Sequence, residues 1–316
     1  MSVTTELKSV GHAISYRCGL SAAMAHWQTC GRILMYHGIT TEGAQELKAQ
    51  LQYMARYFKV VSLESMVCRL DSNLSDNGSP CSANEIVLTF DDGLRNNLTV
   101  VYPILQQLQL PATFFVCPEL IETQAWLWNQ EMRCRLRTLA APALAELGIH
   151  LIGPATVNGI IERMKKLALQ QRHQAEEVIR QSTPDFQPTL DQKAAFDMMN
   201  WDDLLFFDPS LITIGSHTFS HPILTTLSAS EAERELIESR QCLERKLQRE
   251  VNFFCYPNGS YDARAYKIAQ KTYRAAVTTN SGVLNGKELM DLHRLPRIPS
   301  ADKAALTAWR LHRPEA

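Results

Sequence analysis

None of the chain's eight cysteines stands in a C-x-x-C pair. Cys18, Cys30, Cys68, Cys81, Cys117, Cys134, Cys242 and Cys255 are scattered, which excludes a thiolate zinc cluster and a small disulfide-stapled scaffold. They read as free thiols in a reducing compartment, with Cys117 and Cys255 in apolar runs and therefore in the core. Charge of one sign is also missing. Lys and Arg total 32 against 33 Asp and Glu, a net charge of −1, so no global basic field exists to attract nucleic acid. Long apolar runs are absent too. The least polar stretch, 139–161, contains Pro142, Glu146, Gly148, Gly153, Pro154 and Gly159, poor material for a membrane span. Glu6, Lys8, His12 and Arg17 interrupt the first twenty residues, so no secretory signal is read there. Nor is there a repeat of fixed period. Together these absences predict a cytoplasmic protein without a transmembrane segment.

What is present is ordinary globular material. Apolar residues make up 45% and charged residues 21% of 316 residues, enough for one large α/β domain or two small ones. Residues 1–31 read as a helical lead-in. Short apolar or β-branched runs then recur: 32–37 (RILMYH), 85–90 (EIVLTF), 112–116 (ATFFV), 211–215 (LITIG), 251–256 (VNFFCY), 275–279 (AAVTT) and 294–298 (RLPRI). Helical stretches near 44–58, 96–109, 229–248 and 262–271 alternate with them, the third opened by a Ser228/Glu231 capping box. Residues 71–84, rich in Ser, Asn, Asp, Gly and Pro, read as a loop. A helical stretch at about 120–198 is taken as an insertion or lid within a domain of residues 32–300, and its Trp126 and Trp128 as core. Residues 301–316 are taken as a C-terminal tail. Alternating strands and helices predict a mainly parallel sheet covered by helices.

Four polar clusters, YHG, DDG, SHTFSH and YPNG, sit just beyond strand runs. In parallel α/β folds sites gather at the carboxyl ends of strands, so the clusters predict one shared site. Asp91-Asp92 places two diverging carboxylates at a strand end, one able to bind a cation while the other accepts a proton. D-D-G also suits a helix cap and turn. His217 and His221 form H-x-x-x-H, which on a helix puts both imidazoles on one face, though bare pairs of this kind are mostly core or surface histidines. One carboxylate with two imidazoles makes a three-ligand set with open positions, the pattern of a catalytic rather than structural zinc-type site. Such an ion polarises a carbonyl and acidifies water, and a neighbouring carboxylate can take the proton.

These segments resemble the polysaccharide deacetylase family (NodB homology, carbohydrate esterase family four). LMYHG at 34–38, TFDDG at 89–93, SHTFSH at 216–221 and CYPNG at 255–259 look like its signature stretches, and they occur across nearly the whole chain. The resemblance implies a distorted (β/α) barrel of about seven strands, and hydrolysis of N-acetyl groups on the amino sugars of a polysaccharide or its precursor. It implies that Asp91 is the base and that Asp92, His217 and His221 hold a divalent metal, zinc first, with cobalt, nickel or manganese as alternatives. The Y-H motif matches a permuted subgroup, in which His37 would protonate the leaving amine; His293 competes for that role. The family's base-orienting Arg is replaced by Cys255, and Arg297 is the candidate to supply its charge. The Tyr256 N–H would form the oxyanion hole, with Pro257 and Asn258 beside it. The expected partner is an N-acetylated glycan or a lipid-linked sugar, met at the inner face of a membrane that the protein contacts only peripherally. A non-catalytic glycan-binding protein, and a deformylase or deacylase of another amide, are the alternatives.

Overall fold

The structure, a computed structural model, describes residues 3–27, 30–72, 84–150, 156–285 and 290–314. The β-prone runs form strands β1 (Cys30–Tyr36), β2 (Lys59–Val60), β3 (Glu85–Phe90), β4 (Ala112–Val116), β5 (Ile212–Ser216), β6 (Phe253–Cys255), β7 (Ala275–Val277), β8 (Leu284–Asn285) and β9 (Ile298–Pro299). Their order is β7-β6-β5-β4-β3-β1-β8, with β2 paired to β3 and β9 to β1. Every named pairing is parallel except β1 with β8. A parallel bridge from Val277 to Leu295 brings the segment leading into β9 against β7, and β9 pairs with β1. Seven parallel strands, β1, β3 to β7 and β9, thus curl into the distorted (β/α) barrel.

Side chains alternate across a strand, and that period sorts the core into two layers. The even-numbered residues Leu34, Leu88, Phe114, Ile214, Phe254 and Ala276 pack outward against helix residues such as Leu47, Leu51, Leu105, Leu236 and Leu243. The odd-numbered Ile33, Val87, Phe115, Phe253, Cys255, Val277 and Leu295 pack together on the other face, closed below by Leu63, Met66 and Leu70. Both faces of β3 and β4 are therefore buried, as parallel strands covered by helices require. Gly215 makes room on the inner face. A Cβ there would lie 2.5 Å from the Phe115 ring, so the large side chain on β4 needs the small residue on β5.

The helix expected near 96–109 divides into a wider π-type turn at Asn97–Val101 and an α-helix at Tyr102–Leu108. Pro103 cannot donate to the helical ladder, and a π-bulge is one way to absorb that loss. Among the described residues seven helices lie between β4 and β5, from Pro118–Thr123 to Trp201–Phe206. They have a core of their own, in which Trp128, Met132, Leu136, Ile160, Ile161, Met164 and Ile179 meet. Residues 304–310, expected as tail, form a helix packed against helices Val3–Arg17 and Ala44–Tyr57. Most of the loop expected at 71–84, and Cys81 within it, lie outside the described residues. Among those described, no helix is long and apolar enough to cross a membrane.

Candidate active site

The alternation that builds the barrel also delivers its chemistry. On β3 the inward set Val87, Thr89 continues to Asp91; on β6 it reaches Cys255; on the closing segment it runs from Leu295 to Arg297. Asp91 and Arg297 are buried, at 2% and 0% exposure. The guanidinium grips the carboxylate with both forks, Nη1 to Oδ1 and Nη2 to Oδ2, each at 2.7 Å. The remaining Arg297 donors are also used, Nε to the Thr278 carbonyl at 2.8 Å and Nη1 to Thr89 Oγ1 at 3.0 Å. Cys255 Sγ completes the cluster, 3.2 Å from Arg297 Nη2 and 3.5 Å from Asp91 Oδ2. Burial alone would raise the Asp91 pKa, but the charge and hydrogen bonds of Arg297 overcome it and hold the carboxyl below its ordinary range. Burial pushes the Cys255 thiol up, so it stays protonated at neutral pH.

Asp92 turns away from its neighbour because its backbone is left-handed, at φ 79°. Its Oδ1 lies 3.6 Å from His217 Nε2 and 3.5 Å from His221 Nε2. Those separations exceed a good hydrogen bond and approach the roughly 3.4 Å edge of a tetrahedron whose metal bonds are about 2.0–2.1 Å. His217 Nδ1 lies 2.7 Å from the Cys255 carbonyl. A carbonyl only accepts, so Nδ1 carries a proton and Nε2 faces Asp92. Burial would lower the His217 pKa, but the surrounding acceptors, Asp92 and Asp91 among them, raise it well above its ordinary value, and a cation bound there would take the place of the proton on Nε2. Burial chiefly keeps His221 neutral by lowering its pKa, as ligation requires. The carboxyl of Asp92, which burial would raise, is held well below its usual value by the two imidazoles. The donor set and spacing fit a divalent ion.

One expectation is corrected here. Residues 217–221 are not helical: they form a loop in which Thr218 and His221 adopt φ of 67° and 59°. The H-x-x-x-H spacing works because the loop doubles back. The His221 N–H bonds Thr218 Oγ1 at 3.0 Å, and a carboxylate supports the loop from behind. Glu235, on helix Ala229–Leu247, accepts from the N–H groups of Phe219 (2.8 Å) and Ser220 (2.9 Å) and from Ser220 Oγ (2.6 Å). Sequence reasoning missed Glu235, since nothing separates it from the exposed acids of the same charged helix. Left-handed residues of this kind cost about 1–3 kcal/mol each, so the loop depends on that support. Glu235→Ala should lower stability by roughly 1–3 kcal/mol and weaken metal uptake about 10–100-fold. Thermal melts and metal titration check this, and wild-type metal affinity in the variant would refute the role.

Asp91, Asp92, His217 and His221 share a cavity of about 360 Å³ with His37, Tyr256 and Asn258. Its other wall comes from the helical stretch after β4: Leu127, Trp128, Asn129, Gln130 and Lys165. Trp128 is thus both core and cavity wall, and Asn129, Gln130 and Lys165 carried no signal in the sequence. Pro257 is buried outside the cavity lining. The Tyr256 N–H points to the Val277 carbonyl at 3.3 Å, so the ladder between β6 and β7 occupies the amide expected to hold an oxyanion. His293 is also outside the lining, with Nε2 2.9 Å from the Tyr273 carbonyl. Gly259 has φ 66°, and a Cβ there would fall 1.8 Å from Thr279 Oγ1. Only glycine closes that turn.

A buried carboxylate–guanidinium pair thus lies beside Asp92, His217 and His221, three donors that could hold a metal ion, at the carboxyl end of a seven-stranded barrel. The polysaccharide deacetylase family model matches residues 79–190 and 200–276, more than half of the chain. The chain belongs to that family, whose members are hydrolases acting on amide bonds of N-acetyl sugars and are in general metal-dependent. It is 20% identical over 280 residues to the Bacillus subtilis (strain 168) protein YxkH, whose polysaccharide deacetylase designation is itself provisional; the match covers 88% of this chain and 75% of that one. The fold is similar to that of the Streptococcus pyogenes deacetylase PplD in complex with acetate, with a TM-score of 0.56 at 20% identity over 87% of this chain and 94% of that one. It is also similar to IcaB from Ammonifex degensii, with a TM-score of 0.55 at 15% identity over 89% and 97% of the two chains.

Proposed function

We propose that the chain removes N-acetyl groups from amino sugars of a surface polysaccharide or glycolipid precursor. The observation that carries this reading is the placement of Asp91, fixed by Arg297, beside Asp92, His217 and His221 in one cavity with His37. A divalent cation held by Asp92, His217 and His221, zinc first among the candidates, would polarise the acetyl carbonyl and acidify water when bound. The residues do the rest. Asp91 stays ionised because Arg297 neutralises it, and it takes the proton of the attacking water. Arg297 fixes both carboxylate oxygens, so Asp91 meets the water in one orientation. His37, at the end of β1 and exposed in the cavity wall, gives a proton to the departing amine. Asn258 reaches the cavity where the Tyr256 amide does not, and so is the polar group of its turn left to bind the oxyanion or a sugar hydroxyl. Cys18, Cys68, Cys117, Cys134, Cys242 and Cys255 are free thiols, Cys18 and Cys68 exposed, which suits a reducing compartment and supports a precursor substrate in the cytoplasm over a finished polymer outside.

Acetate release from N-acetylated oligosaccharides should vanish on removal of metal by a chelator and return with added zinc. Full activity in metal-free protein would overturn the ligand assignment. Bound metal without acetate release from any glycan would favour the binding-protein reading or a different acyl group.

A further inference from the structure

Far from the catalytic cavity, the two N-terminal helices carry an outward face with no use inside the fold. On helix Val3–Arg17, Val10 and Ile14 are 56% and 64% exposed. With Arg17 they stand at i, i+4 and i+7, one stripe of the helix. The inner side packs: Ser15 is buried, and the His12 ring lies 4.8 Å from that of Trp309. On helix Leu20–His26, Leu20, Ala23 and the following Trp27 repeat an exposed stripe, Trp27 reaching 84% exposure. An apolar surface of this kind on two adjoining helices marks a site of contact.

The joint between the helices is Gly19, at φ 74°, against Tyr57. Beside it opens a cavity of about 270 Å³ lined by Tyr16, Arg17, Gln52, Tyr53, Arg56 and Tyr57. The Arg56 guanidinium lies over the Tyr57 ring at 5.2 Å. Neither Arg17 nor Arg56 has a carboxylate partner among the described residues. His26 Nε2 bonds the Tyr57 carbonyl at 2.7 Å, which ties the end of the second helix, just before Trp27, to Tyr57. Ile14 stands one turn before Arg17 on the first helix, and Leu20 follows Gly19 at the joint, so apolar side chains adjoin the cationic cavity in the chain.

We propose that this face docks on an anionic phospholipid bilayer, with Arg17 and Arg56 taking a lipid phosphate and Val10, Ile14, Leu20 and Trp27 entering the interface. Charge complementarity selects the occupant: two guanidinium groups without carboxylate partners in one cavity, Arg56 over the Tyr57 ring, suit a phosphate headgroup, and Trp with aliphatic neighbours suits the headgroup–acyl boundary. The docking is peripheral, since no described helix can span. It does not depend on the proposed chemistry, because none of these residues lines the catalytic cavity.

The test is co-sedimentation of the full chain with phosphatidylcholine vesicles and with mixed phosphatidylcholine–phosphatidylglycerol vesicles. Wild type should bind the mixed vesicles preferentially. Arg17→Gln with Arg56→Gln should weaken that binding about thirtyfold, and Trp27→Ser should lower it further, while acetate release from a soluble substrate stays at wild-type level. Unchanged vesicle binding in the double variant overturns the proposal. So does displacement from vesicles by millimolar inorganic phosphate, which would make the cavity a site for a soluble anion. A dimer in solution that Trp27→Ser dissociates, with no vesicle binding by wild type, would assign the face to a second copy and likewise overturn it.

Discussion

Asp91→Asn is expected to cut turnover about 10²–10⁴-fold while the metal set still fills. Asn copies the shape of Asp but cannot take the water proton. Asp92, His217 and His221 keep their own geometry, because Asp92 points away from Asp91 and His217 is fixed by the Cys255 carbonyl. The variant also pays in stability. Its amide nitrogen would face an Arg297 nitrogen, donor against donor, and the guanidinium would keep its charge in a buried site without a counter-ion. Metal content and acetate release should therefore be measured together, well below the variant's own melting temperature. A fully active Asp91→Asn enzyme would sink the base assignment, and loss of metal would show that the two carboxylates act as one unit.

Arg297→Leu is expected to cost about 3–5 kcal/mol, the range for breaking a buried pair by removing one partner. Leu fills part of the volume but leaves a carboxylate in the barrel without its guanidinium. The pH dependence separates this from simple loss of packing. In the wild type the native Asp91 pKa lies below its unfolded value of about 3.9. Its contribution is thus present above that unfolded value and is lost as pH falls through the native one. Without Arg297, burial dominates and the native pKa rises above the unfolded one. The sign then reverses, and the penalty is relieved as pH drops through the raised value. The stability gap between wild type and variant should be widest near neutrality and narrow on acidification, as urea midpoints at pH 7 and pH 5 would show. A gap that does not change with pH would remove charge from the account. The double variant with Asp91→Asn should cost less than the sum of its parts, since the two residues share one interaction.

The strands were legible because buried parallel strands carry dense β-branched and aromatic runs: 85–90 and 112–116 occur with the bounds expected of them. The shared site was legible for a related reason, since strand ends place DDG, SHTFSH and YHG at one rim of the barrel. What a pattern of local spacing could not give was contact at long range. H-x-x-x-H suggested a helix, and only the left-handed Thr218 and His221, with Glu235 reaching across from another helix, make it a loop. Arg297 could be named as a candidate for the missing charge, but its two-pronged grip on Asp91 depends on the barrel closing. The Tyr256 amide, expected to face an oxyanion, points instead to the Val277 carbonyl at 3.3 Å, a neighbour across the sheet that no local pattern gives. Trp128 and Lys165 reach the cavity through the packing of a helical stretch whose own core sets where they point, and no local sequence pattern encodes that.

The grip of Arg297 on Asp91 joins residues 206 positions apart. A ribosome makes the carboxylate early and its guanidinium only near the end. A chain emerging amino-terminus first can pair β1 with β3 and then β4 as each appears, yet Asp91 remains without its guanidinium partner until the segment carrying Arg297 seats between β7 and β1. Long-range closure of this kind is also slow. Fragments that stop before that segment would carry Asp92, His217 and His221 with Asp91 lacking the guanidinium that fixes it. On the proposed role of Asp91, hydrolytic activity would report that synthesis has run through the segment carrying Arg297, in any expression or in vitro translation experiment.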